Sequence, residues 1–471
     1  MRTTVEREVK LSAPAEFELP ALSGDEIDRV FTSTYFDTPR RSLAAAGITL
    51  RRRLENRRSV WQLKLPRSGA RAELEARGGP AAAPAELAAL LATHARRHGE
   101  LEPVAVLRTR RRGVRVVDGD RDVAEVTVDK VDVLEGRRRV DQFVEIEAEL
   151  VDGSERELSK LVKELGAAGA GPSDGRPKVF RALGLETAQP PSKTTPLHEL
   201  LAYQLRTQLR QMEAHDPGVR SGGEAEDVHR FRVATRRSRA LIRATRPVLG
   251  DRLEPLADEL KWLGGALGAV RDLDVLIDHL GDEVAGLDAD APGGEAIIAA
   301  LEQEREARRA ELVEVLDSER YLELLNDFDA AVASLPELDA GARELALSEL
   351  KRFEKAAAAL TPESSDDELH ALRIRAKRAR YAGELAALTG GKKLARYVQA
   401  VTAVQDVVGA HQDSVVAEER LRGLVAPDRA LSIGRLIELE RERRREARAR
   451  APEVIAEAIA HGRAALVRPP S

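Results

Sequence analysis

The chain has 471 residues, with 75 lysines and arginines against 80 aspartates and glutamates, a net charge of −5 and no cysteine. This length predicts two substantial domains with ample core, and the absence of cysteine excludes disulfides and thiol catalysis. The near-balanced charge gives no global sign of a polyanion binder, so any such role has to rest on local pattern.

The first segment, Thr4-Val5-Glu6-Arg7-Glu8-Val9-Lys10, places Glu6, Glu8 and Lys10 at every second position. In a strand these side chains share one face, and two carboxylates beside an ammonium suit a hard divalent cation next to a phosphorylated ligand. Paired charges at the same spacing follow along the chain. Arg51 and Arg53 come after Ile48-Thr49-Leu50, Lys64 lies in Val60 to Leu65, and Arg71, Glu73 and Glu75 alternate. Arg108 and Arg110 are next, then Glu125 and Asp129, and finally Glu145, Glu147 and Glu149 alternate with Val144, Ile146, Ala148 and Leu150. A solvated face mixes signs, because like charges on adjacent positions repel. Here acids occupy some strands in pairs and bases occupy others. That predicts a closed or nearly closed barrel with charged faces turned inward around a polyanion and its metals, and apolar faces outward under helices.

The Glu6-x-Glu8-x-Lys10 start, Tyr35-Phe36-Asp37-Thr38-Pro39, Arg51-x-Arg53, Trp61-Gln62-Leu63-Lys64, Glu145-x-Glu147 and Lys178-Val179-Phe180-Arg181 resemble the CYTH family of triphosphate tunnel metalloenzymes, in the family's order, over about residues 1 to 185. The resemblance implies an eight-stranded antiparallel tunnel that hydrolyses a triphosphate, or in some members cyclises ATP, with Mg²⁺ or Mn²⁺. It implies metal binding by Glu6, Glu8, Asp129, Glu145 and Glu147, with Glu73, Glu75 and Glu125 as companions. Lys10, Arg51, Arg53, Lys64, Arg108, Arg110 and Lys178 would line the phosphate path, and Glu6, Glu8 and Lys10 would be catalytic. Lys178 departs from the family pattern, since Pro177 precedes it where the family has serine. Tyr35, Phe36 and Trp61 are expected to pack, and aromatics at 3% of the chain speak against a nucleotide-specific pocket.

Residues 187–196, with three prolines, read as a linker between a tunnel domain at 1–186 and a helical domain at 197–471. Beyond it, stretches rich in Ala, Leu, Glu and Arg with a period near 3.6 predict an all-α half. His229-x-x-Arg232-x-x-x-Arg236-Arg237-x-Arg239 aligns with His370-x-x-Arg373-x-x-x-Lys377-Arg378-x-Arg380, and 370 − 229 gives an offset of 141. Gly268 and Gly409 repeat it, which predicts a duplicated helical bundle. On a helix, His229, Arg232, Arg236 and Arg239 fall within an arc of roughly 80°, a cationic stripe that is mildly self-repelling without an anion.

This half resembles the CHAD family over about residues 197 to 465. The resemblance implies binding of inorganic polyphosphate along a basic groove through these ten residues, without catalysis. A metal role for the histidines is disfavoured, because no second His or Cys stands at i+3 or i+4. The expected function is metal-dependent hydrolysis of inorganic triphosphate or short polyphosphate; the alternatives are a non-catalytic polyphosphate-binding protein, a class IV-type adenylate cyclase or a thiamine triphosphatase. Nucleic acid is a disfavoured partner, since polyphosphate packs charge more densely and needs no base stacking. The charged start and the lack of a long apolar run predict a cytoplasmic protein, with recruitment to polyphosphate granules as a further expectation.

Overall fold

The structure is a computed structural model that describes residues 2–67, 70–173, 175–185, 190–222, 225–286, 291–361 and 363–467. It divides into two compact units, residues 1–188 with 213–222, and residues 189–212 with 223–471. Residues 187–189 of the expected linker lie outside the described residues.

In the first unit one antiparallel sheet is formed by β1 (Arg2–Glu6), β2 (Glu8–Ser12), β3 (Gly24–Asp37), β4 (Thr49–Glu55), β5 (Arg58–Arg67), β6 (Ala70–Arg77), β7 (Glu102–Asp118), β8 (Arg121–Glu135), β9 (Arg138–Leu150) and β10 (Gly171–Pro172). Their order is β1-β6-β5-β4-β3-β7-β8-β9-β2-β10. The two ends meet, because β1 and β2 are halves of one strand broken at Arg7: β1 pairs with β6 and β2 with β9. With β1 and β2 counted as one strand and the two-residue β10 set aside, eight strands close the predicted tunnel. Asn56 and Arg57, both at positive φ, make the two-residue turn that twists β4 into β5.

Period-2 alternation then decides what faces where. Leu50, Trp61, Leu63, Leu65, Ala72 and Leu74 point outward beneath α1 (Ser42–Ala45), α2 (Ala85–Leu90) and α3 (Ala92–His98). On the opposite side Leu11, Val126, Val128, Val144, Ile146 and Ala148 pack under Leu158, Leu161 and Leu165 of α4 (Glu155–Ala167), which Ser154 starts with a capping box. Burying these two outer layers leaves the charged positions of the same strands only the lumen. A short helix, α5 (Lys178–Ala182), contributes Val179 to an apolar plug with Tyr35, Leu107, Val131, Val133 and Phe143.

The second unit is all α: α6 (Leu197–Arg220), α7 (Ala225–Leu249), α8 (Glu254–Ala285), α9 (Ala291–Asp317), α10 (Glu319–Ala333), α11 (Ala342–Ala358), α12 (Asp366–Ala387), α13 (Lys392–Gly423) and α14 (Ala430–Leu466). The last turns of α6 belong to the first unit. There Ala214 joins the apolar layer under α1 to α3, and Glu213 accepts from Arg97, with His98 at 3.3 Å. Periodicity predicts this helix but not which layer its end completes. No helix among the described residues is long and apolar enough to cross a membrane.

Candidate active site

A cavity of about 420 Å³ lies inside the barrel. Its basic lining comes from Lys10, Arg51, Arg53, Lys64, Arg111 and Lys178, together with Arg29 and Arg71, and its acids are Glu8, Glu73, Glu75, Glu125, Glu147 and Glu149. Bases gather on β3, β4 and β7 and acids on β8 and β9, while β2 and β6 carry both signs. Arg29 of β3 stands opposite Arg111 of β7 in the register, with Arg51 and Arg53 on β4, whereas Glu8, Glu149 and Glu125 stand in one row across β2, β9 and β8.

The floor is a closed ion network. Lys178 Nζ lies 2.5 Å from Glu147, 2.9 Å from Glu145 and 3.0 Å from Asp129. Lys10 Nζ reaches Glu147 at 2.9 Å and Glu145 at 3.3 Å. Arg111 grips Asp129 with two bonds of 2.8 and 2.7 Å and also touches Glu147. Burial pushes the Glu147 carboxyl up, but Lys10, Lys178 and Arg111 outweigh it and hold it well below the ordinary value. Burial likewise pulls the Lys178 ammonium down, and Glu147, Asp129 and Glu145 hold it well above. Asp129, Glu145 and Glu147, expected as metal ligands, thus converge at one point of the lumen. These acids are the counter-ions of two ammoniums and a guanidinium, because Lys178, on a helix that folds back into the barrel, reaches all three.

Above the floor the charges are paired less completely. Burial, then Arg51 and Arg111, pull the Arg53 guanidinium down even with Glu55 at 2.7 Å, and its Nε has no hydrogen-bond partner. Arg53 also lies over the Phe31 ring, 3.8 Å from its centroid. Arg51 donates to Gln62 at 2.8 Å and to the Tyr35 hydroxyl at 3.4 Å, so the aromatic expected only to pack also shapes the cavity. Across the lumen, burial pushes the Glu149 carboxyl up to about 7; Lys64 opposes, and Glu8 and Glu147 add to the rise. Glu8 and Glu149 are directly opposed carboxyls, an arrangement that repels unless a cation joins them. Lys10 lies 3.7 Å from Glu8, and an all-oxygen pair of this kind fits a hard divalent cation, so Glu8 and Glu149 are carboxylates that would hold Mg²⁺ or Mn²⁺. The side chain of Glu6 lies outside the described residues; its backbone pairs with Arg71.

In the helical unit the two predicted stripes lie on α7 and α12, and their environments repeat. Arg232 pairs with Asp272 at 2.9 Å and Arg373 with Asp413 at 3.9 Å; 373 − 232 and 413 − 272 both equal 141. Gly268 and Gly409, at the same offset, leave room beside these two guanidiniums. Arg237 and Arg380 share Glu384, at 2.6 and 2.8 Å. Burial, then Arg373, Arg236 and Arg232, push the Lys377 ammonium down to about 8, so cations of both stripes act on one site. Arg236 and Arg239 each keep an unpartnered Nε. Burial pulls the Arg378 guanidinium down, helped by Arg375, although Glu349 opposes. Burial and Arg271 pull His229 below its ordinary value, and His370 Nδ1 lies 3.2 Å from Gln412 Oε1.

The family model of the CYTH domain matches residues 3–170 and that of the CHAD domain residues 203–422. Two uncharacterized proteins of Mycobacterium tuberculosis, MT2285 and Rv2226, are each 31% identical over 433 residues, covering 83% of this chain and 81% of theirs. The chain is a CYTH protein carrying a CHAD domain. Among solved structures, PptA from Streptomyces chartreusis is 21% identical, covering 55% of this chain and 99% of its own at a TM-score of 0.46. The CHAD domain from the plant Ricinus communis is 27% identical, covering 60% and 97% at 0.45. Membership supports a triphosphate-tunnel-type function.

Two basic assignments in the CYTH unit are corrected. Arg108 and Arg110 are exposed on the outer face of β7, where Arg110 lies 3.6 Å from Asp28, and Arg111 takes the lumen. Leu107 sets this parity by entering the apolar plug, which also turns Thr109 and Arg111 inward. Arg29 and Arg111 were missed by sequence reasoning; the register of Arg111 against Asp129 was the signal available. Lys178, despite its proline neighbour, is buried in the lumen beyond the matched segment. Of the companion acids, Glu73 holds Lys64 at 2.9 Å, Glu75 accepts from Gln62 at 2.7 Å, and Glu125 accepts from Arg115 at 3.0 Å.

Proposed function

We propose that the CYTH unit is a metal-dependent hydrolase of inorganic triphosphate or short polyphosphate, and that the CHAD unit binds polyphosphate. The observation that carries this reading is one lumen lined by arginines on β3, β4 and β7 and by the carboxylates Glu8, Glu125 and Glu149 on β2, β8 and β9. A linear polyanion laid against Arg51, Arg53 and Arg29 would pair with the first set, and a cation at Glu8 and Glu149 with the second. Arginine suits the first task because its fork meets two phosphate oxygens at once.

Phosphoryl transfer asks mainly for positioning and charge neutralisation. Bound Mg²⁺ or Mn²⁺ supplies neutralisation of phosphate oxygens and orients a water. The chain's own residues do the rest. Arg51 and Arg53 fix the phosphates at one end, Lys10 stands where the acid floor meets them, and the apolar plug excludes bulk water. The lumen offers Tyr35 as its aromatic, already tied to Arg51, and so favours a substrate without a base. In the CHAD unit, His229, Arg232, Arg236, Arg237, Arg239, His370, Arg373, Lys377, Arg378 and Arg380 would hold longer chains, in a cytoplasmic protein drawn to polyphosphate granules.

The test is phosphate release from triphosphate, ATP, thiamine triphosphate and long polyphosphate, each with and without Mg²⁺ or Mn²⁺. Triphosphate hydrolysed fastest, and only with metal, is the expected result. Cyclic AMP from ATP, or no release from any substrate, would overturn the reading. For the CHAD unit, polyphosphate that fails to displace duplex DNA would reverse the assignment.

A further inference from the structure

We propose that His279, Glu283 and Glu440 form a divalent-cation site of the zinc class that clamps α8 to α14, independent of the tunnel. His279 and Glu283 are four residues apart on α8, which sets them about 40° apart on one helix face. Glu440 approaches from α14. Ligand atoms of the three lie within 4.8 Å of one another, the one such grouping of three among the described residues. The Glu283 side chain is 5% exposed and that of Glu440 is fully buried. Leu280, Val284 and Leu436 pack beside them in one apolar cluster, so the two carboxyls share a low-dielectric pocket.

The protons present leave one acceptor of this cluster unsatisfied. Glu440 Oε1 contacts His279 Nε2, and Arg443 Nη1 contacts Nε2 and lies 3.1 Å from Nδ1. His279 can thus donate to Glu440 through Nε2 and accept from Arg443 through Nδ1. Glu440 Oε2, wholly buried, has no partner at all. A single cation taking Nε2 and one oxygen from each glutamate satisfies all three groups. Arg443 supplies the positive charge in its place. Its Nη1 touches Glu283 and lies 3.4 Å from Glu440, on a side chain that is 40% exposed and free to swing into solvent.

The donor set chooses the metal. One imidazole nitrogen with two carboxylates suits Zn²⁺, with a fourth position left open, whereas Mg²⁺ prefers oxygen alone. The site also stands outside the internal repeat: 279 + 141 is Arg420 and 440 − 141 is Ala299. Glu440 lies beyond the segment matched as CHAD. Looking only for a second His or Cys at i+3 or i+4 passes over the glutamate at i+4.

The experiment is Zn²⁺ binding to the full-length, chelator-treated chain under saturating Mg²⁺, followed by metal analysis and by the visible spectrum of the Co²⁺ form. One tightly held Zn²⁺ per chain is expected in the parent and in Glu8→Gln, which separates this site from the tunnel reading. His279→Ala should weaken it by more than about 100-fold, since even second-shell changes cost 10- to 100-fold. Arg443→Ala should bind Zn²⁺ more tightly and gain thermal stability from it. A His279→Ala chain with unchanged affinity and Co²⁺ spectrum, or an Arg443→Ala chain that is destabilised and not rescued by Zn²⁺, would overturn the proposal.

Discussion

The tunnel floor and the helical stripes gather cations at similar density but handle them in opposite ways. In the floor, Lys10, Lys178 and Arg111 are matched by Asp129, Glu145 and Glu147 at hydrogen-bond distance. On α7 and α12 the cations face one another, and Lys377 is left with an ammonium pushed down to about 8. The paired floor is rigid and insensitive to mild changes of pH, because each buried charge is held by several partners. The stripes carry more cations than the Asp272, Asp413 and Glu384 that pair with them, so an anion's affinity for them should follow salt and pH. On the proposed function, a site for chemistry and a site for retention would share one ligand class within one chain.

The largest expected effect tests the tunnel side. Glu8→Gln should keep the fold and lose about 10²- to 10³-fold in metal-dependent phosphate release, the usual cost of one electrostatic stabiliser, while polyphosphate binding is unchanged. Full turnover in that variant would remove the proposed role of the first strand. Arg111→Ala should destabilise the first unit by about 3 kcal/mol in denaturant unfolding, since it strips a partner from the fully buried Asp129, whereas Arg108→Ala should stay within about 0.5 kcal/mol. Equal effects of the two would break the assigned parity of β7.

The stripe side calls for salt and pH. Replacing Arg232, Arg373 and Lys377 by methionine should lower the salt slope of polyphosphate binding by about one per lost phosphate contact and leave triphosphate hydrolysis intact. Lys377 is charged below its pKa of about 8, so affinity should fall as pH rises through that value, and Lys377→Met should flatten the fall. The smallest effect concerns Glu149. Its folded pKa of about 7 lies above the ordinary value of 4.5, so its charge disfavours the fold above pH 7 and ceases to do so as pH falls. Without metal, Glu149→Gln should therefore raise Tm by a few degrees at pH 8 and hardly at all at pH 4, by calorimetry.

Much of this molecule was legible in its sequence. Sign-paired alternation predicts a closed barrel with a charged lumen, and the 141-residue offset predicts the duplicated bundle in which the Arg232–Asp272 pair recurs as Arg373–Asp413. What escaped has physical causes. In Leu107-Arg-Thr-Arg-Arg-Arg112 both parities carry arginine, so alternation cannot choose between Arg110 and Arg111; the choice rests with Leu107 and a plug assembled from four strands and a helix. The roles of Glu145 and Glu147 depend on where Lys178 returns, a distance in space that spacing along the chain does not encode. The end of α6 joins the first unit through His94, Arg97 and Ala214, contacts invisible to a helical period.

The break at Arg7 has a bearing on assembly. Residues 2–12 are the seam of the cylinder, holding β6 on one flank and β9 on the other. If they peel away, two strand borders are laid bare together, each a template for pairing with another molecule. Occupancy of Glu8 and Lys10 by ligand would then guard against self-association as well as enable turnover.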